Sequence, residues 1–202
     1  MKKIKKKTSR IFQFKVALKN IKPLIWRRIQ VEDTCTFWDL HVAIQDSMGW
    51  TDSHLHHFEI LNPESDRKEE IGIPDEDEIS GKILAGWKKK IADYFTENND
   101  LAEYIYDYGD DWEHVVKLEK ILEHAEGAMY PVCIDGERTC PPEDCGGIWG
   151  YEEFLEAIID PAHERHEELL EWVGGDFDPE HFEIKDIHFD NPKKRLKFML
   201  NN

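Results

Sequence analysis

The chain has no apolar run approaching the ~20 residues that a membrane-spanning helix requires. Its lysine-rich start, Met1-Lys2-Lys3-Ile4-Lys5-Lys6-Lys7, carries the charge of a signal peptide, but no apolar segment follows, so export is not expected. Cysteine is scarce: Cys35, Cys133, Cys140 and Cys145 are too few for a disulfide-built scaffold, and without an export signal they are expected as thiols in the cytoplasm. Positive charge is short as well, with 26 Lys and Arg against 43 Asp and Glu. A net charge of −17 repels phosphate backbones, so nucleic acid is not an expected partner. Missing too are a phosphate-binding P-loop, a dinucleotide glycine fingerprint, a G-x-S-x-G elbow and an H-E-x-x-H pair.

What is present is a core's worth of apolar side chains, 40% of the sequence including 10 Phe, 7 Trp and 6 Tyr, at a mean hydropathy of −0.64. The densest segment is Tyr130–Tyr151, YPVCIDGERTCPPEDCGGIWGY, which holds three of the four cysteines and three of the nine prolines. Proline removes a backbone donor and paired glycines loosen the chain, so this stretch excludes a regular helix or a central strand. A shaped loop is expected there, and shaped loops tend to carry function. The segment matches no catalytic signature.

Elsewhere the periodicity is plainer. Phe12, Phe14, Val16 and Leu18 alternate as a strand, Asn20 to Pro23 turns, and Ile25, Ile29 and Val31 mark a second strand with Arg27 on the apolar face. Thr36 caps a helix with Asp39 in the capping-box position; Phe37, Leu40, Ile44 and Met48 form its stripe and Gly49 stops it. His54 to Leu61 reads as a third strand, 62 to 80 as an exposed excursion, and 83 to 95 as short helical turns. Tyr104, Tyr106 and Tyr108 alternate into a Gly109-Asp110 turn, and Trp112, His114, Val116 and Leu118 alternate back as a hairpin. Apolar stripes after the loop predict helices ending at Pro161 and at Gly174-Gly175, and Asp178-Pro179 predicts the start of another.

The fold class that follows is α+β: a mixed sheet with one packed helix, in a roll or β-grasp-like arrangement, plus an acidic C-terminal helical appendage. Residues 151–190 hold 14 acids against Arg165 and Lys185. The expected organisation is a basic mobile tail (1–10), a sheet domain (11–128), and the loop with its helices (129–202) packed on it as one structural unit. Phe12, Phe14, Val16, Ile29, Leu40, Ile44, Phe58, Tyr106 and Val116 are the expected core.

Five segments resemble the Ri-plasmid ORF-3-like family. They are Pro23-Leu24-Ile25-Trp26-Arg27-Arg28-Ile29, Met48-Gly49-Trp50 with His54-Leu55-His56, Tyr106 to His114, Pro141 to Gly147 with Gly150-Tyr151, and Glu171 to Pro179. The matches span about residues 11 to 189. The resemblance implies no established activity. Some members carry a resolvase or transposon-passenger label, which implies a role accessory to mobile elements. A serine recombinase needs a nucleophilic serine among arginines; Ser9, Ser47, Ser53, Ser65 and Ser80 have no such setting, and the helical region lacks a basic recognition face.

Three groups of residues could carry chemistry. Arg27 and Arg28, with His54, His56 and His41 as neighbours, would make a cationic pocket for a small anion, while His54 and His56 on one strand face could chelate a metal. The plainer reading has these histidines covering a sheet edge. Cys133, Cys140 and Cys145 with His163 (or His166) would hold zinc, although the C-x6-C-x4-C spacing lacks a tight knuckle and fits buried packing as well. Asp107, Asp110, Asp111 and His114 crowd a turn that could hold a hard cation or be acidic for local reasons, with His114 on the core face. The reading for the whole is a binding or interaction module whose partner is a protein or a small anion; the alternative is a metal-dependent hydrolase using the histidines or the cysteine loop.

Overall fold

The computed structural model describes residues 9–74 and 83–201. Most of the tail expected at 1–10 and the end of the excursion expected at 62–80 therefore lie outside the described residues. Strands β1 (Arg10–Leu18), β2 (Trp26–Glu32), β3 (His56–Asn62), β4 (Arg67–Gly72), β5 (Leu84–Ala85), β6 (Leu101–Tyr106), β7 (Trp112–Glu123) and β8 (Val132–Glu137) form one sheet in the order β5-β4-β3-β6-β7-β1-β2-β8. Every pairing is antiparallel except the short β4–β5 pair. Among the described residues the fold is thus a mixed α/β architecture with one large sheet and four α-helices, α1 (Phe37–Met48), α2 (Gly147–Ile159), α3 (His166–Trp172) and α4 (Pro192–Met199).

Helix α1 is built as its sequence dictates. Thr36 Oγ1 accepts the Asp39 N–H, Asp39 Oδ2 accepts the Thr36 N–H at 2.7 Å, and Gly49 closes the helix at φ 87°. Its apolar stripe packs on one face of the sheet, and all nine expected core residues lie in the same buried cluster. Phe37 sits edge-on to Phe58 and Tyr94, and Phe14 to Phe95, an arrangement that suits the ring quadrupoles. The opposite face is polar: Gln13 donates to Glu119, Gln30 to Gln13, and Arg28 to both Glu119 and Asp135.

Three elements differ from expectation. β4, RKEEIG, lies in the stretch expected to be an excursion; only Ile71 and Gly72 are buried, so its polar residues hide the strand period. β8 opens the loop segment as the outermost strand beside β2, so the 129–202 stretch also contributes to the sheet; an edge position tolerates the nearby prolines. No helix starts at Asp178-Pro179. The cap-plus-proline signal is used instead at Asn191-Pro192, where Asn191 Oδ1 accepts the N–H groups of Lys193 and Lys194. The last helix, PKKRLKFM, is basic rather than acidic.

Candidate metal centre

Three chain segments meet beyond the end of α1. After Gly49, Trp50 stacks on Tyr106 with centroids 5.1 Å apart, and its indole N–H donates to the Pro141 carbonyl at 2.9 Å. That contact fastens the 50–55 segment to the end of β6 and to the Pro141–Gly147 loop. Asp107 follows β6 at φ 58°, a backbone region that short acidic side chains tolerate. Its N–H donates to the Leu55 carbonyl and its Oδ1 accepts the Gly109 N–H at 2.9 Å, so Oδ2 is left facing inward. From the loop, Glu143 Oε1 accepts the Thr51 N–H at 2.7 Å and the Tyr106 hydroxyl at 3.0 Å. Asp144, at φ 58°, completes the group.

All three carboxylates converge on one atom. His54 Nε2 lies 3.0 Å from Asp144 Oδ1, 3.5 Å from Asp107 Oδ2 and 3.5 Å from Glu143 Oε2. This nitrogen is buried, yet none of the three contacts has hydrogen-bond geometry. One ring nitrogen has a single proton or lone pair to offer and cannot satisfy three anionic oxygens. The arrangement suits a cation. An ion with ~2.1 Å bonds sets neighbouring ligand atoms about 3.0 Å apart in octahedral geometry and about 3.4 Å apart in tetrahedral geometry. The observed separations of 3.0 and 3.5 Å lie close to those two values. One imidazole with several carboxylates suits Mn2+, Fe2+ or Zn2+ better than soft thiophilic ions. The donors from Thr51, Tyr106 and Gly109 are the outer-shell contacts that hold such ligands in place.

A second group lies deeper. The His41 and His56 rings stack in parallel, centroids 3.4 Å apart and 6° from coplanar. Gln45 accepts the Asp52 N–H on Oε1, which turns its amide N–H toward the Tyr104 hydroxyl at 3.0 Å. The Tyr104 hydroxyl pairs with His41 Nδ1 at 2.8 Å, and His41 Nε2 pairs with Asp52 Oδ1 at 2.7 Å. Burial drives both imidazole pKa values well below the ordinary range, and burial raises that of Asp52. His56 Nδ1 is buried without a partner, an omission that costs about 1–3 kcal/mol. Asp52 and His54 both line a cavity of about 660 Å³ under α4, with Ser53, Leu55, Lys194 and Arg195.

The residues expected from sequence are thus distributed among separate environments. His54 is in the three-carboxylate group and His56 in the stack with His41. Arg27 goes elsewhere: Nε donates to Ser47 O at 2.8 Å, Nη1 to Trp26 O and Glu137 O, and Nη2 to Arg138 O, with Phe182 4.5 Å from the guanidinium carbon. Its oxygen partners are all backbone carbonyls, so it pins β8 and the loop to the end of α1. Arg28 points to the polar sheet face and pairs with Glu119 and Asp135. Neither arginine meets the histidines because both are consumed by nearer acceptors.

The cysteine set does not assemble either. Among the described residues, the groups that bring three ligand atoms together are His41-Asp52-His56 and His54-Asp107-Asp144, and neither includes Cys133, Cys140, Cys145 or His163. Cys133 Sγ contacts Asp135 O, Cys140 Sγ contacts Met48 and Arg27, Cys145 Sγ faces Gly147 O, and His163 Nδ1 accepts the Arg165 N–H. Burial pushes the Cys145 thiol up to about 12, far from a reactive thiolate. His114 is a core histidine, its pKa lowered to about 4 by burial. Asp52, Glu143 and Asp144 were not singled out from sequence; the adjacent acids after Pro141-Pro142, in the densest loop of the chain, were the available signal.

Comparison with known proteins identifies the family. A family model described as plasmid pRiA4b ORF-3-like protein matches residues 10–186. The uncharacterized protein y4hQ of Sinorhizobium fredii (strain NBRC 101917 / NGR234) is 40% identical over 169 residues, 83% of this chain and 84% of that protein. A crystal structure of the protein of unknown function MM3350 from Methanosarcina mazei Go1 is 47% identical, with a TM-score of 0.84 over 90% of this chain and 99% of that one. Among the described residues no helix is long and apolar enough to cross a membrane. The chain belongs to the plasmid pRiA4b ORF-3-like family.

Proposed function

We propose that this member of the plasmid pRiA4b ORF-3-like family is a metal-dependent binding module, with a divalent ion held by His54, Asp107 and Asp144 and with Glu143 beside them. The observation that carries the reading is the convergence of three carboxylates, at 3.0–3.5 Å, on one buried imidazole nitrogen without hydrogen-bond geometry. The ligands come from three segments that only the folded chain brings together, and each carboxylate but Asp144 is oriented by a second donor. An ion with a free coordination position would let a small anion or an acidic group of a protein partner complete its shell. The four free thiols fit a reducing, cytoplasmic setting.

Calorimetric titration of untagged, chelator-stripped protein with Mn2+ and Zn2+ tests the reading. One ion per chain is expected at this site, with affinity reduced at least 10-fold by His54→Ala and by Asp107→Asn, since losing even a group that only orients a ligand costs about 10–100-fold. Equal affinity in the wild type and both variants would sink it. A second reading, a metal-dependent hydrolase, is favoured by His54 also lining the 660 Å³ cavity beside the Ser53 and Thr51 hydroxyls. It requires Mn2+-stimulated cleavage of an ester or phosphoester from a general substrate panel, abolished in Asp107→Asn; full cleavage by that variant would dismiss it.

A further inference from the structure

His41, Asp52 and His56 play no part in the ion site described above, and they form a cluster of their own. We propose that they are a second, deeper metal site, a two-histidine, one-carboxylate set for a borderline transition ion such as Fe2+, Co2+, Ni2+ or Zn2+. A ligand atom from each of the three lies within 4.8 Å of the other two. His41 Nε2 and Asp52 Oδ1 already face one another at 2.7 Å, with His41 oriented from behind by the Tyr104 hydroxyl and that hydroxyl by Gln45. This is the outer-shell support that fixes a ligating imidazole.

His56 supplies the independent sign of a ligand. Its side chain is 1% exposed, yet Nδ1 has no hydrogen-bond partner. A buried imidazole nitrogen with nothing to bond is unusual, because such groups are normally satisfied. Stacked rings send their in-plane lone pairs in parallel, so the bound state requires one ring to turn. His56 is the ring that can turn, since its Nδ1 gives up no hydrogen bond in doing so. Ligation through His41 Nε2 uses the neutral tautomer with its single proton on Nδ1, where it donates to the Tyr104 oxygen, so no net proton is gained or lost. Asp52 lines the cavity under α4, which gives the ion a path from solvent. At the cavity wall Arg195 Nη1 stands 3.8 Å from Asp52 Oδ2, while its Nη2 is held by Asp46 and Asp190. An arriving ion therefore competes with a cation that already has two other carboxylates.

The inference stands on residues other than those of the first site, and one experiment separates the two. Co2+ is titrated into untagged wild type and into the His54→Ala/Asp107→Asn double variant, with visible d–d absorption and thermal unfolding as readouts. The double variant is expected to bind one Co2+, with a cobalt absorption band and a raised Tm, and to lose both when His56→Phe or Asp52→Asn is added. Phenylalanine keeps the ring stack while removing the ligand; if it prevents folding by circular dichroism, Asp52→Asn decides alone. A double variant that binds nothing while the wild type binds one ion would overturn this inference and leave the first site standing. One ion that persists in the double variant and disappears with His56→Phe would support it and overturn the first site. Binding that survives every substitution, or no binding in the wild type, would overturn it.

Discussion

Single residues in this protein are decided by what lies nearest in space rather than in sequence. Arg27 shows this most clearly: an arginine on an apolar strand face invites a search for an anion, but it spends its guanidinium on backbone carbonyls. Arg27→Ala should leave the Ser47, Glu137 and Arg138 carbonyls unpaired, at about 1–3 kcal/mol each where buried. Urea unfolding should show a loss above ~3 kcal/mol, and Arg27→Lys should recover only part of it, because an ammonium cannot reproduce the planar fork. A wild-type midpoint for Arg27→Ala would refute the clamp. His114 provides a pH test. Its folded pKa of about 4 lies below the ordinary 6.5, so the unfolded chain takes up a proton that the folded one refuses. Stability from this group is therefore complete above pH ~6.5 and falls as pH drops toward 4. His114→Phe should flatten the dependence of the urea midpoint across that window, whereas an unchanged slope would mean that His114 already titrates normally in the folded state.

At the scale of elements, legibility followed the hydrophobic period. β1, α1 and the β6–β7 hairpin could be read because their apolar residues repeat every two or every three to four positions. β4 has one buried large side chain and β8 runs into the proline-rich loop, so neither presents a clean period. Helix α4 has no buried residue to form a stripe; only its Asn191-Pro192 cap announces it. The candidate metal centre was half legible. His54 and Asp107 stood out as a histidine beside a strand and an acid at a turn, but nothing local ties them to Glu143 and Asp144, which come from nearly 40 residues farther on. Gly147 controls that union. At φ 68° with a Cβ position 2.5 Å from Asp110 O, it lets the loop sit against the hairpin turn. Gly147→Ala should therefore push the loop off the turn, at a cost of about 1–3 kcal/mol, and weaken Mn2+ binding together with stability. Unaltered binding in the variant would place the ion away from this junction.

For the whole molecule, the acidic charge and the candidate ion belong to one argument. A chain of net charge −17 that crowds Asp107, Glu143 and Asp144 around one imidazole folds against its own repulsion. On the proposed reading a divalent ion would relieve that repulsion, and because its ligands come from three segments, it would bind the folded state alone. At 100 times its Kd such an ion adds about 2.7 kcal/mol to stability, so Mn2+ should raise Tm by several degrees in the wild type and not in the His54→Ala/Asp107→Asn/Asp52→Asn triple variant, which removes ligands from both clusters. An equal rise in that variant would indicate nonspecific charge screening. The most direct measurement is an anomalous difference map from crystals soaked in Mn2+. The account requires a peak about 2.2 Å from His54 Nε2 and from the nearest oxygens of Asp107 and Asp144. A map with no peak there, from crystals in which Mn2+ is ordered elsewhere or nowhere, would contradict it.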